Sequence, residues 1–278
     1  LGVTMNPKRK RYLIILIIGL AVAAGVILWA QVSGPSLNRP ESVAFDSASG
    51  KFLISNVGNG TIVTMDSTGS LEMLIDKGLT RPRGLKVVQN KLWVTDETQV
   101  HAIDLAAKKI VSSIPVPGSK MLNDIEADEL GILYISDTQA NCIWLLDPLS
   151  NKLEKIADKL MTQPNGIYFD APRRQMLIVS LGDKQPILAF STKSRQFSVF
   201  MDTIYSRLDG IQADDPGRIF FSSWAEQAIY MIPQTQNRFE IYQKDLTSPA
   251  DFYWHQPTNE LIVPLMEKNK VIRVPLDE

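Results

Sequence analysis

The chain has 278 residues, 29 Lys and Arg against 30 Asp and Glu, and a formal net charge of −1. That balance argues against a nucleic-acid binder, which carries a clustered basic excess, and 45% apolar residues exclude a disordered chain. One cysteine (Cys142) and two histidines (His101, His255) exclude an intramolecular disulfide, a multi-thiolate centre and a three-imidazole zinc site.

Residues 1–11 end in Lys8, Arg9, Lys10 and Arg11 and read as a basic cytoplasmic N-terminus. Residues 12–30 then hold no charge across 19 positions, about the length that crosses a ~30 Å hydrocarbon core as a helix. The next cation is Arg39, so the positive-inside bias sends everything after residue 30 to the periplasmic or extracytoplasmic side. A cleaved signal peptide is the competing reading. Its apolar region is shorter, ~7–15 residues, and Leu28-Trp29-Ala30 suits a cleavage site poorly. Either way the rest is exported: membrane-anchored if the helix is kept, secreted if residues 1–30 are removed. Residues 31–40 read as a linker and residues 41–278 as the folded body.

In that body, short β-branched and aromatic runs alternate with turn residues, and no helical period appears. Phe52-Leu53-Ile54, Leu92-Trp93-Val94, Ile132–Ile135, Met176–Val179, Ile219-Phe220-Phe221 and Leu261-Ile262-Val263 read as buried strands. A related phrase precedes each run, starting at Glu41, Arg83, Asn123, Asn165, Asp209 and Ala250. Its apolar third residue is Val43, Leu85, Ile125, Ile167, Ile211 or Phe252, spaced 42, 40, 42, 44 and 41 residues apart. The first five repeats add a third and a fourth strand, as in Thr61–Met65 and Leu71–Ile75. Four antiparallel strands at this period make a propeller blade, so the expected architecture is an all-β, six-bladed β-propeller of four-stranded blades. The sixth repeat ends after three strands, and the linker is the available source of a fourth.

Equivalent positions in successive blades sit at one height around one axis. The first phrase residue therefore forms a ring of Glu41, Arg83, Asn123, Asn165, Asp209 and Ala250. Four of these offer oxygen, the donor set of a hard cation: Glu41, Asn123, Asn165 and Asp209 are candidate metal ligands, with Ca²⁺ favoured and Zn²⁺, Mn²⁺ or Mg²⁺ open. Taken singly, Asn165-Gly166 and Asp209-Gly210 also read as turns. Arg83 is a candidate substrate contact or a partner of Glu41 or Asp96. Asp124 either supports the cation or faces a loop. Asn56, Asp96, Asp137, Ser180 and Ser223 end the second strands and either line the mouth of the cavity, with Asp137 the candidate substrate contact, or only terminate strands. By register, His255 starts an inter-strand turn and His101 lies away from the axis.

The phrases Pro40-Glu41-Ser42-Val43-Ala44-Phe45, Leu122-Asn123-Asp124, Gln163-Pro164-Asn165-Gly166 and Leu208-Asp209-Gly210 resemble those of the senescence-marker-30, gluconolactonase and luciferin-regenerating group of six-bladed propellers, with paraoxonases more distant. The resemblance covers roughly residues 40 to 275. It implies that Glu41, Asn165 and Asp209 bind a divalent cation and that Asn123 is a ligand or substrate contact. Two departures stand: Lys120-Met121-Leu122 lacks the arginine that contacts sugar in the gluconolactonase pattern, and neither histidine is placed as in paraoxonases. The expected activity is hydrolysis of a lactone or ester, with Asp209 as general base and Asp124 in reserve. The alternative is a membrane-tethered, non-catalytic propeller that binds a protein, glycan or small ligand. Nothing in the sequence sets an oligomeric state.

Overall fold

The computed structural model describes residues 34–277. From Leu37 onward the chain forms six antiparallel sheets in sequence order, over residues 40–75, 82–115, 122–156, 164–201, 208–243 and 253–275. Blades one to five each pair four strands in chain order, while blade six has three among the described residues. Of the linker, the described residues 34–39 add no fourth strand to it. The basic segment 1–11 and the apolar stretch 12–30 lie outside the described residues. Among those described, no helix is long and apolar enough to cross a membrane.

Each second strand is sandwiched between neighbours in its own blade, and its two faces meet the two adjoining blades. That is why these runs are continuously apolar rather than alternating. In blade one, Phe52 and Ile54 point toward blade six and Leu53 toward blade two. The core accordingly divides into six layers, one at each junction between blades. The layer between blades one and six is built on Val43, Phe52, Ile54, Val63, Met65 and Ile262, with Leu37 against it. Polar bonds complete this seam: Arg39 N–H donates to Asn269 Oδ1 at 2.7 Å, and Ser42 Oγ donates to Asp251 Oδ2 at 2.5 Å.

The first strand of each blade lines the axis, and in five blades its pairing with the second strand slips where the ring residue sits. The shifts fall between Pro40 and Val43, Pro82 and Leu85, Leu122 and Ile125, Pro164 and Ile167, and Leu208 and Ile211. A bulge of this kind re-aims a side chain and leaves amides without ladder partners. Hydroxyls of the second strand take up three of them. Ser55 Oγ accepts from Ser42 N–H at 3.0 Å, Ser136 Oγ from Asp124 N–H at 2.9 Å, and Ser222 Oγ from Gly210 N–H at 2.8 Å.

Candidate functional site

The bulges bring Glu41, Arg83, Asn123, Asn165 and Asp209 to one end of the axial channel, where they line a single cavity of about 150 Å³. All five are buried, none more than 8% exposed. Ala250 fills the sixth position and is fully buried, with no polar side-chain atom to offer.

The glycine after the ring residue has a packing role here. A Cβ on Gly84 would lie 2.6 Å from Asp124 Cα, one on Gly210 would lie 2.8 Å from Asp251 Cα, and one on Gly166 would collide with the Asp209 carbonyl oxygen. Inner strands of neighbouring blades approach too closely for any side chain at these points. Asn165-Gly166 and Asp209-Gly210 therefore lie in strands rather than turns.

Three acceptor oxygens in the ring, Glu41 Oε2, Asn123 Oδ1 and Asn165 Oδ1, are buried without a hydrogen-bond partner, as are the donors Arg83 Nη1 and Trp224 Nε1. Buried polar atoms are rarely left so, and each costs roughly 1–3 kcal/mol unless something satisfies it. The amide nitrogens, by contrast, are used: Asn123 Nδ2 donates to Thr138 Oγ1 at 3.1 Å and Asn165 Nδ2 to the Leu208 carbonyl at 3.2 Å. These bonds orient both amides so that their oxygens are the free atoms.

Electrostatics point the same way. Burial raises the Glu41 carboxyl well above the usual range, and the charges of Asp209 and Asp251 raise it further against the opposing effect of Arg83. Burial, then Asp124, pushes Asp209 up to about 7, with Trp224 and Arg83 opposing. A hard divalent cation satisfies orphaned oxygens and offsets crowded carboxylates together, so the residues present fit one. Among the described residues no three Asp, Glu, His or Cys side chains converge as a metal-holding group. The two carboxylates would therefore need both amide oxygens to complete the set.

Asp124 stands one residue below the ring and faces the other way. Its Oδ2 accepts from Ile167 N–H at 2.8 Å and its Oδ1 from Ile125 N–H at 2.7 Å. It lines a second cavity, about 260 Å³, at the opposite end of the channel with Glu126 and Asp251. With both oxygens engaged and its side chain outside the ring cavity, Asp124 is out of place as a reserve base. Asp137 is also displaced from its expected role as a substrate contact. Its carboxylate accepts from the amides of Lys120, Met121 and Ala140 and from Trp144 Nε1, all at 3.0–3.2 Å, and it does not line the ring cavity.

The other second-strand ends do the same work, holding the loop that leads into the ring. Asn56 Oδ1 accepts from Asn38 N–H, Asp96 accepts from Thr80 and Arg81 N–H, and the Ser180 and Ser223 hydroxyls donate to the Thr162 and Ser206 carbonyls. With Asp96 so occupied and Glu41 Oε2 unpartnered, Arg83 pairs with neither of its expected partners. His101 Nε2 lies 3.5 Å from Asp96 and His255 Nδ1 2.8 Å from Thr258 Oγ1, both away from the ring cavity.

Beyond the expected ring, the cavity is lined by the apolar Val57, Met121, Leu181 and Met266 and by four residues with donors that were not expected there: Arg39, Arg81, Arg207 and Trp224. The three arginines share a signal that was available, since each stands two residues before a ring residue.

No protein-family model matches the sequence, and no curated protein does. Solved structures with the same architecture are numerous. A gluconolactonase from Xanthomonas campestris aligns with a TM-score of 0.74 and 15% identity, over 88% of this chain and 87% of its own. A catalytically inactive virginiamycin B lyase from Staphylococcus aureus, with quinupristin, gives 0.67 and 17%, over 86% and 80%. An auxiliary nutrient-binding protein from Bacteroides thetaiotaomicron gives 0.71 and 10%, over 85% and 68%. At these identities the likeness is one of fold, and the fold hosts a hydrolase, a lyase and a binding protein.

Proposed function

We propose that the chain is a divalent-cation-dependent hydrolase of a lactone or ester, with the cation, Ca²⁺ by donor type, held by Glu41, Asn123, Asn165 and Asp209. The observation that carries the reading is the set of three unpartnered buried oxygens on residues that line one cavity. The gluconolactonase with this fold supports the choice of bond.

Lewis-acid polarisation of a carbonyl is the chemistry a hard cation supplies when bound at such a site. The chain's own groups do the rest. Asp209 takes a proton from the attacking water and returns it to the leaving oxygen. Arg83 Nη1 is an unpartnered donor on the cavity wall, placed to orient a carbonyl or leaving-group oxygen, and Trp224 stands beside Asp209 on the same wall. The inner-strand bulges and the closely packed glycines keep these groups from drifting. On the sequence alone, the basic segment and the uncharged residues 12–30 support a propeller tethered outside a membrane.

The test is hydrolysis of a small panel of lactones and aryl esters by the full chain, first with a chelator and then with Ca²⁺ restored. The reading expects activity lost with chelator and recovered with metal. Activity indifferent to both treatments removes the cation from the account. Absence of turnover throughout returns the fold to the binding-propeller alternative.

A further inference from the structure

We propose that the substrate carries an oxyanion, a carboxylate or phosphate set apart from the bond that is cleaved, and that a rim of arginines receives it. Cleavage rests on the hydrolase reading; the anion preference rests on the cavity itself.

Four arginines line the ring cavity, Arg39, Arg81, Arg83 and Arg207, against two acids, Glu41 and Asp209. Guanidinium groups stay protonated at any working pH, so the wall is positive before any cation is added. A dication balanced by Glu41 and Asp209 would leave all four guanidiniums without counter-charge in the cavity. Their existing contacts are weak. Arg81 Nε meets Glu97 at 3.4 Å with both side chains about half exposed, Arg39 Nη2 lies 3.5 Å from Met266 Sδ, and Arg207 lies 5.9 Å over the Trp224 ring. Arg83, only 8% exposed, leaves Nη1 with no partner at all.

Placement makes the arrangement more than a chance excess of charge. Arg39, Arg81 and Arg207 occupy one repeat position, two residues before the ring in blades one, two and five. The corresponding residues elsewhere are Met121, Gln163 and Ser248. Arg39 and Arg207 hold left-handed backbones, φ 50° and 53°, which is uncommon for a long side chain. Both are pinned there, since their carbonyls accept from Val57 and Trp224 N–H at 3.2 and 3.0 Å. The rim is therefore a fixed set of attachment points around the ring, and planar guanidiniums match carboxylate and phosphate oxygens two at a time.

The experiment uses three aryl esters that share one scissile bond: para-acetoxybenzoate, its neutral methyl ester and para-acetoxyphenyl phosphate. Each enzymatic rate is divided by the spontaneous hydrolysis rate of the same ester. The proposal expects kcat/KM for at least one anionic ester to exceed the neutral one by about tenfold or more at low ionic strength, with the gap closing as salt is raised. It also expects the Arg81→Gln, Arg207→Gln double variant to shrink that ratio to near one. Which anion is favoured separates a carboxylate from a phosphate substrate. Equal rates for neutral and anionic esters, or a ratio unmoved in the double variant, overturn the proposal while leaving the hydrolase reading intact. If none of the three esters is turned over, the hydrolase reading is decided by the lactone panel, and this proposal by calorimetric titration of para-hydroxybenzoate and inorganic phosphate into the full chain. Salt-sensitive binding that the double variant loses sustains it, and no binding of either overturns it.

Discussion

At the scale of single residues, the ring separates groups that bond to protein from groups that do not. Asn123 spends its nitrogen on Thr138 of its own blade and Asn165 on Leu208 of the next, and both keep their oxygens free, whereas Asp137 spends its carboxylate on the loop before its own blade. Replacing Asp209 with Asn keeps the shape but removes the proton acceptor. Turnover of any productive ester should fall by about 10²–10⁴-fold while the circular dichroism spectrum is unchanged. Retained activity in that variant would remove Asp209 from the chemistry. A second expectation concerns Asp96. Burial opposes its ionisation, but bonds from His101 and from the Arg81 and Thr80 amides outweigh this and hold its pKa below the usual 3.8. A depressed carboxyl contributes stability that is present above the unfolded value and lost as pH falls through the folded one. Denaturant midpoints of wild type should therefore drop below pH 4 more steeply than those of Asp96→Ala, and parallel curves would contradict this. The ring was readable from sequence because a repeat register fixes axial height. The loop-holding role of Asp137 was not, since a polar strand end looks the same whether it faces a cavity or a loop amide.

At the scale of elements, the site depends on an inner strand that bulges and on a glycine that lets the next blade close in. The bulge exposes amides, and Ser55, Ser136 and Ser222 answer them from the second strand. Gly166→Ala should cost about 2–4 kcal/mol in chemical denaturation, because backbone rather than a mobile side chain stands in the way. The same change should weaken cation binding, since the obstructing atom is the Asp209 carbonyl. Gly50→Ala is the control. It has a left-handed φ of 68° but open space around it, so it should cost about 1–2 kcal/mol and leave the site alone. Equal effects of the two on cation affinity would contradict the packing account. Strand positions were legible from β-branched runs between turns, and the outer strands Leu71–Ile75 and Phe197–Met201 fall where the pattern puts them. The purpose of the Asn-Gly and Asp-Gly pairs was not legible. The approach that demands glycine comes from another blade, about 43 residues away in the case of Gly166, and local sequence carries no trace of it.

At the scale of the whole molecule, six inter-blade layers close a ring whose seam joins the first blade to a last one with three strands among the described residues. The period near 41 residues made the number of blades readable. How the seam closes was not, because it depends on Arg39, Ser42 and Leu37 meeting residues more than 200 positions away. Ser42→Ala should leave the buried Asp251 carboxyl short of its hydroxyl donor and cost about 1–3 kcal/mol in denaturant titration. An unchanged midpoint would mean that the apolar layer alone closes the ring. The axial channel ends in two different cavities, and only the one bearing Glu41, Asn123, Asn165 and Asp209 has oxygens waiting for a partner. The most direct measurement is therefore calorimetric titration of Ca²⁺ into the chelator-stripped full chain, wild type beside a Glu41→Gln, Asp209→Asn double variant. One Ca²⁺ per chain in the wild type, lost in the variant, is the predicted result; no binding to the wild type, or equal binding to both, would contradict the assignment of the ring as a cation site.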